Sequence, residues 1–252
     1  MQRYKAVIEY DGTNYHGMQK QKNVSLSTIQ GALERAISQF ANAKVEIDYS
    51  GRTDTGVHAI GQVIHFDLEC ERTEKQVLRG VNFYLIKNEI FDIAVKKVEK
   101  VADDFHARFS AQSRAYIYRV LNSEIASPLL ANRVFFYPYK LDIDKMRAAA
   151  VLLVGKKMDF ASFCSAESVE KVNTMKTIMS IEIWKEGEQI LFKYEAKSFL
   201  HNMIRIITGI LLEVGRGRLQ PDDVLIILNA KKRHDKCETA PACGLYFLET
   251  KY

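Results

Sequence analysis

The sequence has few of the residues that mark disulfide scaffolds and metal-binding modules. It contains 4 cysteines and 4 prolines among 252 residues, and no two cysteines stand at C-x-x-C spacing. Cysteines this sparse do not build a disulfide framework, and they favour a reduced, cytoplasmic protein. These cysteines are Cys70, Cys164, Cys237 and Cys243.

No apolar stretch is long enough to cross a membrane. The longest, at 199–214, is interrupted by His201, Asn202, Arg205 and Glu213, whereas a spanning helix needs about 20 mainly apolar residues. The first residues also lack the apolar run of a secretory signal. We therefore expect neither secretion nor membrane insertion.

Cofactor motifs are equally scarce. The 6 histidines form no H-E-x-x-H pattern, and no G-x-G-x-x-G joins a predicted strand to a helix. The glycines and arginines at 215–218 follow a predicted helix, whereas a phosphate-binding loop opens one. The sequence thus predicts no metal and no small-molecule cofactor. We interpret His58 and His65 as structural or hydrogen-bonding residues.

What is present is the composition of an ordered globular protein. Apolar residues make up 47% of the chain and charged residues 27%, with a formal net charge of +5. This mild positive charge permits an anionic partner without requiring one, and most of the excess lies after residue 102.

The first half alternates between strand and helix patterns. Residues 4–10 alternate as a strand, and apolar residues between 29 and 40 follow helical spacing. Capping boxes at Ser27-x-x-Gln30 and Thr73-x-x-Gln76 predict the starts of two helices. With three further predicted strands, the order is strand, helix, strand, strand, helix, strand, which is the split βαβ arrangement.

The second half repeats this theme less regularly. It is predicted to contain a long strand over 107–121 and a helix over 199–214 that ends at Gly215. The predicted fold class is therefore α+β, with two ferredoxin-like halves, antiparallel sheets and helices on one face. We expect the halves to be residues 1–102 and 103–252.

Two segments are candidates for chemistry. The loop at 49–59 places Arg52 and Asp54 between two glycines and two predicted strands, where a carboxylate can meet a ligand. The alternative is an aspartate that only forms a turn, beside a solvated arginine. The segment 105–120 carries three arginines among four aromatic residues and no acid. It suits either contact with unpaired bases or an edge strand protected by charge.

Arg205 is a third candidate, because it lies in a helix that is apolar nearly all round. A buried arginine needs a partner, and a carboxylate is the natural one. The alternative is a side chain that reaches the surface. From the residues alone, an RNA-binding module and an RNA-acting enzyme both remain open, although no RNP1 run is present.

Several segments in chain order resemble the tRNA pseudouridine synthase A family. They are YDGTNYHGMQKQ at 10–21, STIQGALERA at 27–36, GRTDTGVHA at 51–59, DDFHARFSAQSRAYIY at 103–118, DFASF at 159–163, FLHNMIRIITGILLEVGRG at 199–217 and TAPACGLYFL at 239–248. The resemblance covers nearly the whole chain, and the loop at 51–59 is its most specific part. The sequence departs from the family at Met18, where tryptophan is usual, and at 81–87, which lacks the usual leucine-proline ending.

The resemblance implies roles for five residues. Asp54 matches the catalytic aspartate, and Arg52 matches the arginine that helps to hold the target nucleotide flipped out. Tyr116 matches the tyrosine that contacts the substrate uracil, and Leu245 matches an apolar residue beside the same base. Arg205 matches the arginine that pairs with the aspartate, which is the carboxylate partner expected for it.

The resemblance further implies the reaction and its setting. Uridines 38, 39 and 40 of the tRNA anticodon stem-loop would be isomerised to pseudouridine by a cytoplasmic homodimer, in a cleft between the two halves. The reaction needs neither metal nor cofactor. Asp54 would act as a nucleophile on the uracil ring or C1′, or would assist proton removal at C2′. The alternatives are a non-catalytic RNA-binding or chaperone protein of the same fold, and a paralogue acting on another RNA.

Overall fold

The computed structural model describes residues 1–21, 27–165, 169–232 and 238–252. Cys237, one of the residues considered above, lies outside this part. The strands are β1 (Gln2–Tyr10), β2 (Asp48–Tyr49), β3 (His58–Leu68), β4 (Ile93–Val101), β5 (Ser113–Leu121), β6 (Phe135–Phe136), β7 (Lys157–Asp159), β8 (Met175–Glu186), β9 (Gln189–Ala196) and β10 (Leu245–Lys251). The helices are α1 (Ile29–Ala41), α2 (Glu74–Lys87), α3 (Ile143–Val151), α4 (Met203–Gly215) and α5 (Asp223–Asn229).

The first compact unit comprises Met1–Gln112 and Tyr246–Tyr252. Its strands are ordered β4-β1-β3, and both β2 and β10 pair with β3. Strand β1 is antiparallel to β3 and β4, and β2 is antiparallel to β3, whereas β10 joins β3 in parallel. Helices α1 and α2 pack against each other, and α2 packs on β4. The order β4-β1-β3-β2 is that of a split βαβ unit.

The second compact unit comprises Ser113–Leu245. Its strands are ordered β5-β9-β8-β7 with antiparallel pairing, and β6 adds to β5 in parallel. Helix α3 packs on α4 and on β8. The predicted α+β class is therefore confirmed, while the description of both halves as ferredoxin-like stays a prediction.

The first unit extends beyond residue 102, where the sequence suggested a boundary. Residues 103–112 are attached to this unit because the Gln112 N–H donates to the Lys251 carbonyl at 2.9 Å. Tyr252 also donates its hydroxyl hydrogen to the Ala107 carbonyl at 2.8 Å. The final strand β10 likewise belongs to the first unit for most of its length, and the sequence offers no local signal for that long-range pairing.

One of the two predicted capping boxes is confirmed. Thr73 caps α2 and forms the predicted capping box with Gln76. The box predicted at Ser27 and Gln30 is wrong, because Thr28 caps α1 by accepting the Gly31 N–H. The Gln30 side chain instead accepts the Lys20 N–H and donates to Glu34, so it is not available to close a box.

Helix α4 begins later than predicted and ends differently. Asn202 has φ 62° and is the N-cap, so the helix starts at Met203. Gly215 is its last helical residue, and the first positive φ after it is that of Gly217, at 80°. A Cβ at Gly215 would lie 2.7 Å from the Met146 sulfur, so the small residue serves close packing of α3 on α4. Among the described residues, no helix is long and apolar enough to cross a membrane.

Gly209 gives a stability prediction inside α4. Alanine usually stabilises a helix relative to glycine by about 1 kcal/mol. A Cβ at Gly209, however, would lie 2.2 Å from the Glu238 carbonyl oxygen. Gly209→Ala is therefore expected to destabilise the protein, by about 1–3 kcal/mol, in urea unfolding.

Gly31 in α1 provides the matched control for Gly209. A Cβ there would meet only side-chain atoms, the nearest at 3.2 Å. Gly31→Ala is therefore expected to change the free energy of unfolding much less. A Gly209→Ala variant as stable as the unchanged protein would contradict the close approach.

Candidate functional site

The loop between β2 and β3 carries Arg52 and Asp54. A turn closes it, in which the Val57 N–H donates to the Asp54 carbonyl at 3.1 Å, and Gly56 has φ 75°. Asp54 is half-buried and Arg52 is exposed. The predicted pair therefore shares one loop of the first unit, with the carboxylate partly shielded from water and the guanidinium accessible.

The loop after β1 holds the Asp54 loop in place. The Met18 N–H donates to the Thr53 carbonyl at 3.0 Å. Gly17 has φ 83°, and a Cβ there would lie 2.5 Å from the same carbonyl oxygen. Met18 is fully buried. Because its contact with Thr53 uses the backbone, methionine at this position leaves that hydrogen bond intact.

His58 fixes the other end of the same loop. Its Nδ1 accepts the Gly12 N–H at 3.0 Å, and its ring stacks on Tyr246 with centroids 4.7 Å apart. The interpretation of His58 as a hydrogen-bonding residue is confirmed.

Arg52 lies close to Tyr49, the last residue of β2. Burial raises the pKa of Tyr49, and the neighbouring Arg52 opposes that shift. Because the Arg52 guanidinium is exposed, it is accessible to an anionic ligand.

Tyr116 lies on β5 in the second unit, opposite Tyr194 of β9. Only 8% of Tyr116 is exposed. Its ring meets Phe199 edge-on, with centroids 5.3 Å apart and an interplanar angle of 85°. The tyrosine is thus a rigid, mostly buried aromatic residue rather than part of an open stacking surface.

Arg205 lies on α4, where it is half-buried. Its Nε donates to the Ala240 carbonyl at 2.8 Å, and an Nη donates to the Asn202 side-chain oxygen at 2.8 Å. The Ala240 N–H in turn donates to the Arg205 carbonyl at 3.2 Å. These two contacts to a backbone carbonyl and a side-chain amide orient the guanidinium.

Leu245 follows a segment that is tied to the core of the second unit. Tyr118 donates its hydroxyl hydrogen to the Pro241 carbonyl at 2.7 Å. A Cβ at Gly244 would lie 2.6 Å from the Tyr118 ring, so only glycine fits there. Leu245 is 6% exposed. The segment before β10 therefore has little freedom, which fixes where Leu245 lies.

The basic, aromatic segment at 105–120 is divided by the fold. The strand predicted over 107–121 is present as β5, but it begins only at Ser113. Arg114 is buried and donates to the Lys197 carbonyl at 2.6 Å. Phe109, in contrast, is 74% exposed, with the Arg108 guanidinium 5.6 Å from its ring centroid. Only the part before β5 presents an exposed aromatic and cationic pair.

One cluster of the described residues has metal-binding side chains, at Asp48, His65 and His106. Both imidazole Nε2 atoms lie 3.9 Å from one Asp48 oxygen. Both Nδ1 atoms accept backbone N–H groups, from Ala107 at 3.3 Å and Arg108 at 3.1 Å. A neutral ring with an accepting Nδ1 carries its proton on Nε2, which leaves no lone pair there for a metal.

The cluster is therefore suited to hydrogen bonding rather than to metal binding. Burial lowers the pKa of His65, which favours its neutral form. The interpretation of His65 as a hydrogen-bonding residue is confirmed.

The sequence analysis missed the buried polar residues that hold the Asp54 loop through hydrogen bonds, namely Tyr10, Ser50 and Gln62. Each is at most 3% exposed. Gln62 stands between Gly61 and Val63 in a strand whose residues are mostly buried. A polar residue inside a buried strand is the signal that would have indicated a hydrogen-bonded network.

The loop of the first unit indicates a class of protein. A half-buried carboxylate on a fixed loop, two residues from an exposed arginine, is typical of an enzyme that acts on an anionic substrate.

Comparison with known proteins gives the particular family. A family model described as tRNA pseudouridine synthase matches residues 6–110 and 149–252. A protein of Listeria monocytogenes serotype 4b (strain CLIP80459) named tRNA pseudouridine synthase A is 42% identical over 255 residues, which covers 100% of both chains. A protein of Anaplasma phagocytophilum (strain HZ) with the same name is 41% identical over 250 residues, covering 99% of this chain and 100% of the relative. The chain belongs to the tRNA pseudouridine synthase family.

Proposed function

We propose that this chain is an enzyme that isomerises uridine to pseudouridine in tRNA. Similarity to tRNA pseudouridine synthase A proteins over their full length carries this proposal, at 42% identity in one relative. The fixed loop with the half-buried Asp54 supplies the carboxylate that the reaction needs.

The isomerisation is balanced without an added reactant. The N1–C1′ bond breaks, a C5–C1′ bond forms, a proton leaves C5 and N1 gains a proton. Asp54 acts as the nucleophile and forms a transient covalent intermediate with the substrate while the base is detached. This divides one difficult step into easier ones. A carboxylate in a partly shielded position is less solvated than one in bulk water and reacts more readily.

The remaining site residues bind the substrate, assist proton removal from C5 or support Asp54; the proton role falls to the Tyr116 hydroxyl. Arg52 is exposed, which suits contact with the backbone of a flipped nucleotide. Tyr116 and Leu245 are rigid, largely buried side chains that would lie against the uracil ring. Arg205 would stabilise the ionised form of Asp54, because an oriented positive charge favours a carboxylate.

The substrate region is the anticodon stem-loop, at uridines 38, 39 and 40, and the enzyme works in the cytoplasm as a homodimer. The exposed Phe109 with Arg108 beside it supports contact with RNA, because bases stack on aromatic rings and arginine follows phosphates. Light scattering of the purified protein tests the dimer. Mapping of pseudouridine along treated tRNA tests the positions, and modification confined to another region or another RNA would contradict them.

Tritium release tests the isomerisation itself. Transcribed tRNA that carries [5-³H]uridine loses tritium to water only if the C5 hydrogen is replaced. We expect release without ATP or added metal. A non-catalytic RNA-binding protein of the same fold would bind this tRNA and release nothing, which is the result that would contradict the proposal.

Arg205→Lys is expected to lower the rate of pseudouridine formation by about 10-fold. Lysine keeps the charge, but a single ammonium cannot reproduce the bonds from Nε to Ala240 and from Nη to Asn202. The measurement is single-turnover tritium release at saturating protein.

Arg147→Lys is the matched control for Arg205→Lys. Arg147, on α3, also bonds a carbonyl and a side-chain oxygen, those of Ile183 at 2.9 Å and Asp144 at 3.1 Å. It has no assigned part in catalysis, so the rate should not change. An equal effect of both substitutions would assign Arg205 a purely structural role.

A further inference from the structure

A buried pair of hydroxyls joins the Asp54 loop to β1. Tyr10 is the last residue of β1 and is 3% exposed, and Thr53 is 7% exposed. The Tyr10 hydroxyl lies 2.7 Å from the Thr53 hydroxyl, within hydrogen-bond distance. Burial raises the pKa of Tyr10 to about 12, so the phenol keeps its hydrogen at neutral pH.

Gln62 holds the residues that precede Thr53 in the loop. The Ser50 hydroxyl donates to the Gln62 side-chain oxygen at 2.6 Å, and the Gln62 amide donates to the Gly51 carbonyl at 2.8 Å. Thr250 donates to the Ser50 hydroxyl at 2.9 Å. Gln62 is completely buried, so water cannot readily replace these bonds.

Thr53 is therefore fixed on two sides, immediately before Asp54 in the chain. Its carbonyl accepts the Met18 N–H at 3.0 Å, and its side chain bonds Tyr10. The Asp54 backbone cannot shift far without breaking one of these contacts. A side-chain substitution can remove the hydrogen bond between Tyr10 and Thr53 while the backbone hydrogen bond from Met18 remains.

We infer that Tyr10 is a positioning residue for the reaction, acting through the Thr53 hydroxyl to hold the Asp54 carboxylate where it meets the uridine. This inference rests on the proposed function. Tyr10 touches no substrate in this role. Its contribution arises because catalysis is more sensitive to the position of a reacting group than folding is: a displacement of about 1 Å reduces a rate up to 100-fold.

Tyr10→Phe tests this role, because it removes only the hydroxyl. We expect the single-turnover rate of tritium release to fall about 10-fold, with the dissociation constant for tRNA within about twofold of the unchanged protein. The measurements are tritium release at saturating protein, tRNA binding by filter retention, and the melting temperature by circular dichroism.

Tyr4→Phe is the matched control. Tyr4 lies on the same strand β1 and is fully buried. Its hydroxyl donates to the Arg72 carbonyl at 2.7 Å and accepts the Arg72 N–H at 2.8 Å. Tyr4→Phe removes a buried hydroxyl at the end of β1 that lies away from Asp54. Tyr4→Phe is therefore expected to lower the melting temperature at least as much as Tyr10→Phe while leaving the rate unchanged.

A double-mutant cycle ties the effect to Thr53. Thr53→Val removes the same hydrogen bond from the other side and is expected to lower the rate by a similar factor. Because both substitutions break one bond, the Tyr10→Phe/Thr53→Val double variant should lose little more than either single variant. Thr53→Ser keeps a hydroxyl and should lie closer to the unchanged protein than Thr53→Val does.

The outcomes separate this inference from the proposed function. A Tyr10→Phe variant with an unchanged rate would overturn the inference alone, and so would an equal loss of rate in Tyr4→Phe. Fully multiplicative losses in the double variant would also overturn it, because they would show that Tyr10 does not act through Thr53. Absence of tritium release from the unchanged protein would overturn the proposed function and this inference together.

Discussion

Asp54→Asn is expected to reduce the rate of tritium release from [5-³H]uridine tRNA by about 10⁴-fold or more. The amide is nearly the same size as the carboxylate but cannot act as a nucleophile or as a base. Asp54→Ala should give the same loss. Because contacts of Thr53 and Met18 hold the loop, tRNA binding should change little, as measured by filter retention.

Asp67→Asn is the control for Asp54→Asn. Asp67 lies on β3 in the same unit, where its carboxylate bonds the Arg3 guanidinium at 2.7 Å. Arg3 lowers the pKa of Asp67, with a hydrogen bond as the largest cause. Its replacement removes a charge from the first unit without touching the loop, so tritium release should persist. Substantial turnover by Asp54→Asn would contradict the nucleophile role.

Tyr116→Phe is expected to lower the rate of tritium release by about 100-fold, because general acid–base groups typically contribute at least that much. The substitution keeps the ring and its edge-on contact with Phe199. It removes only the hydroxyl that would help to take the proton from C5. Affinity for tRNA should therefore stay close to that of the unchanged protein while the rate constant falls.

Tyr194→Phe separates the role of Tyr116 from general packing. Tyr194 lies directly across from Tyr116 in the sheet, and its hydroxyl lies 2.7 Å from that of Thr208. Burial raises the pKa of Tyr194. Loss of this hydroxyl should destabilise the second unit but leave the rate of release unchanged. If Tyr116→Phe kept full activity, Tyr116 would only pack against the base.

Local patterns in the sequence predicted much of the first unit. The alternation in β1 is confirmed, since Tyr4, Ala6, Ile8 and Tyr10 are all buried. The capping box at Thr73 is confirmed because both of its bonds lie within one helical turn. The box at Ser27 and Gln30 is wrong because Thr28 caps α1, while the Gln30 side chain bonds Lys20, a residue outside the helix. The spacing of residues in the sequence does not reveal such a competing contact.

The sequence singles out candidate site residues where one side chain could carry the chemistry. The resemblance pointed to Asp54, and the apolar surroundings of Arg205 indicated that it needs partners. The positions that support Asp54 were not predictable, because Tyr10 and Gln62 come from different strands and meet the loop only in the folded protein. For the same reason, the sequence did not predict that β10 belongs to the first unit, where it pairs with β3.

The most direct test of the central claim is nucleoside analysis of the anticodon stem-loop after incubation of transcribed tRNA with the purified protein alone. The claim predicts that uridine decreases and pseudouridine increases by equal molar amounts in this fragment. It also predicts that no free uracil appears and that Asp54→Asn produces no change. Unmodified uridine throughout the fragment after prolonged incubation with the unchanged protein would contradict the claim.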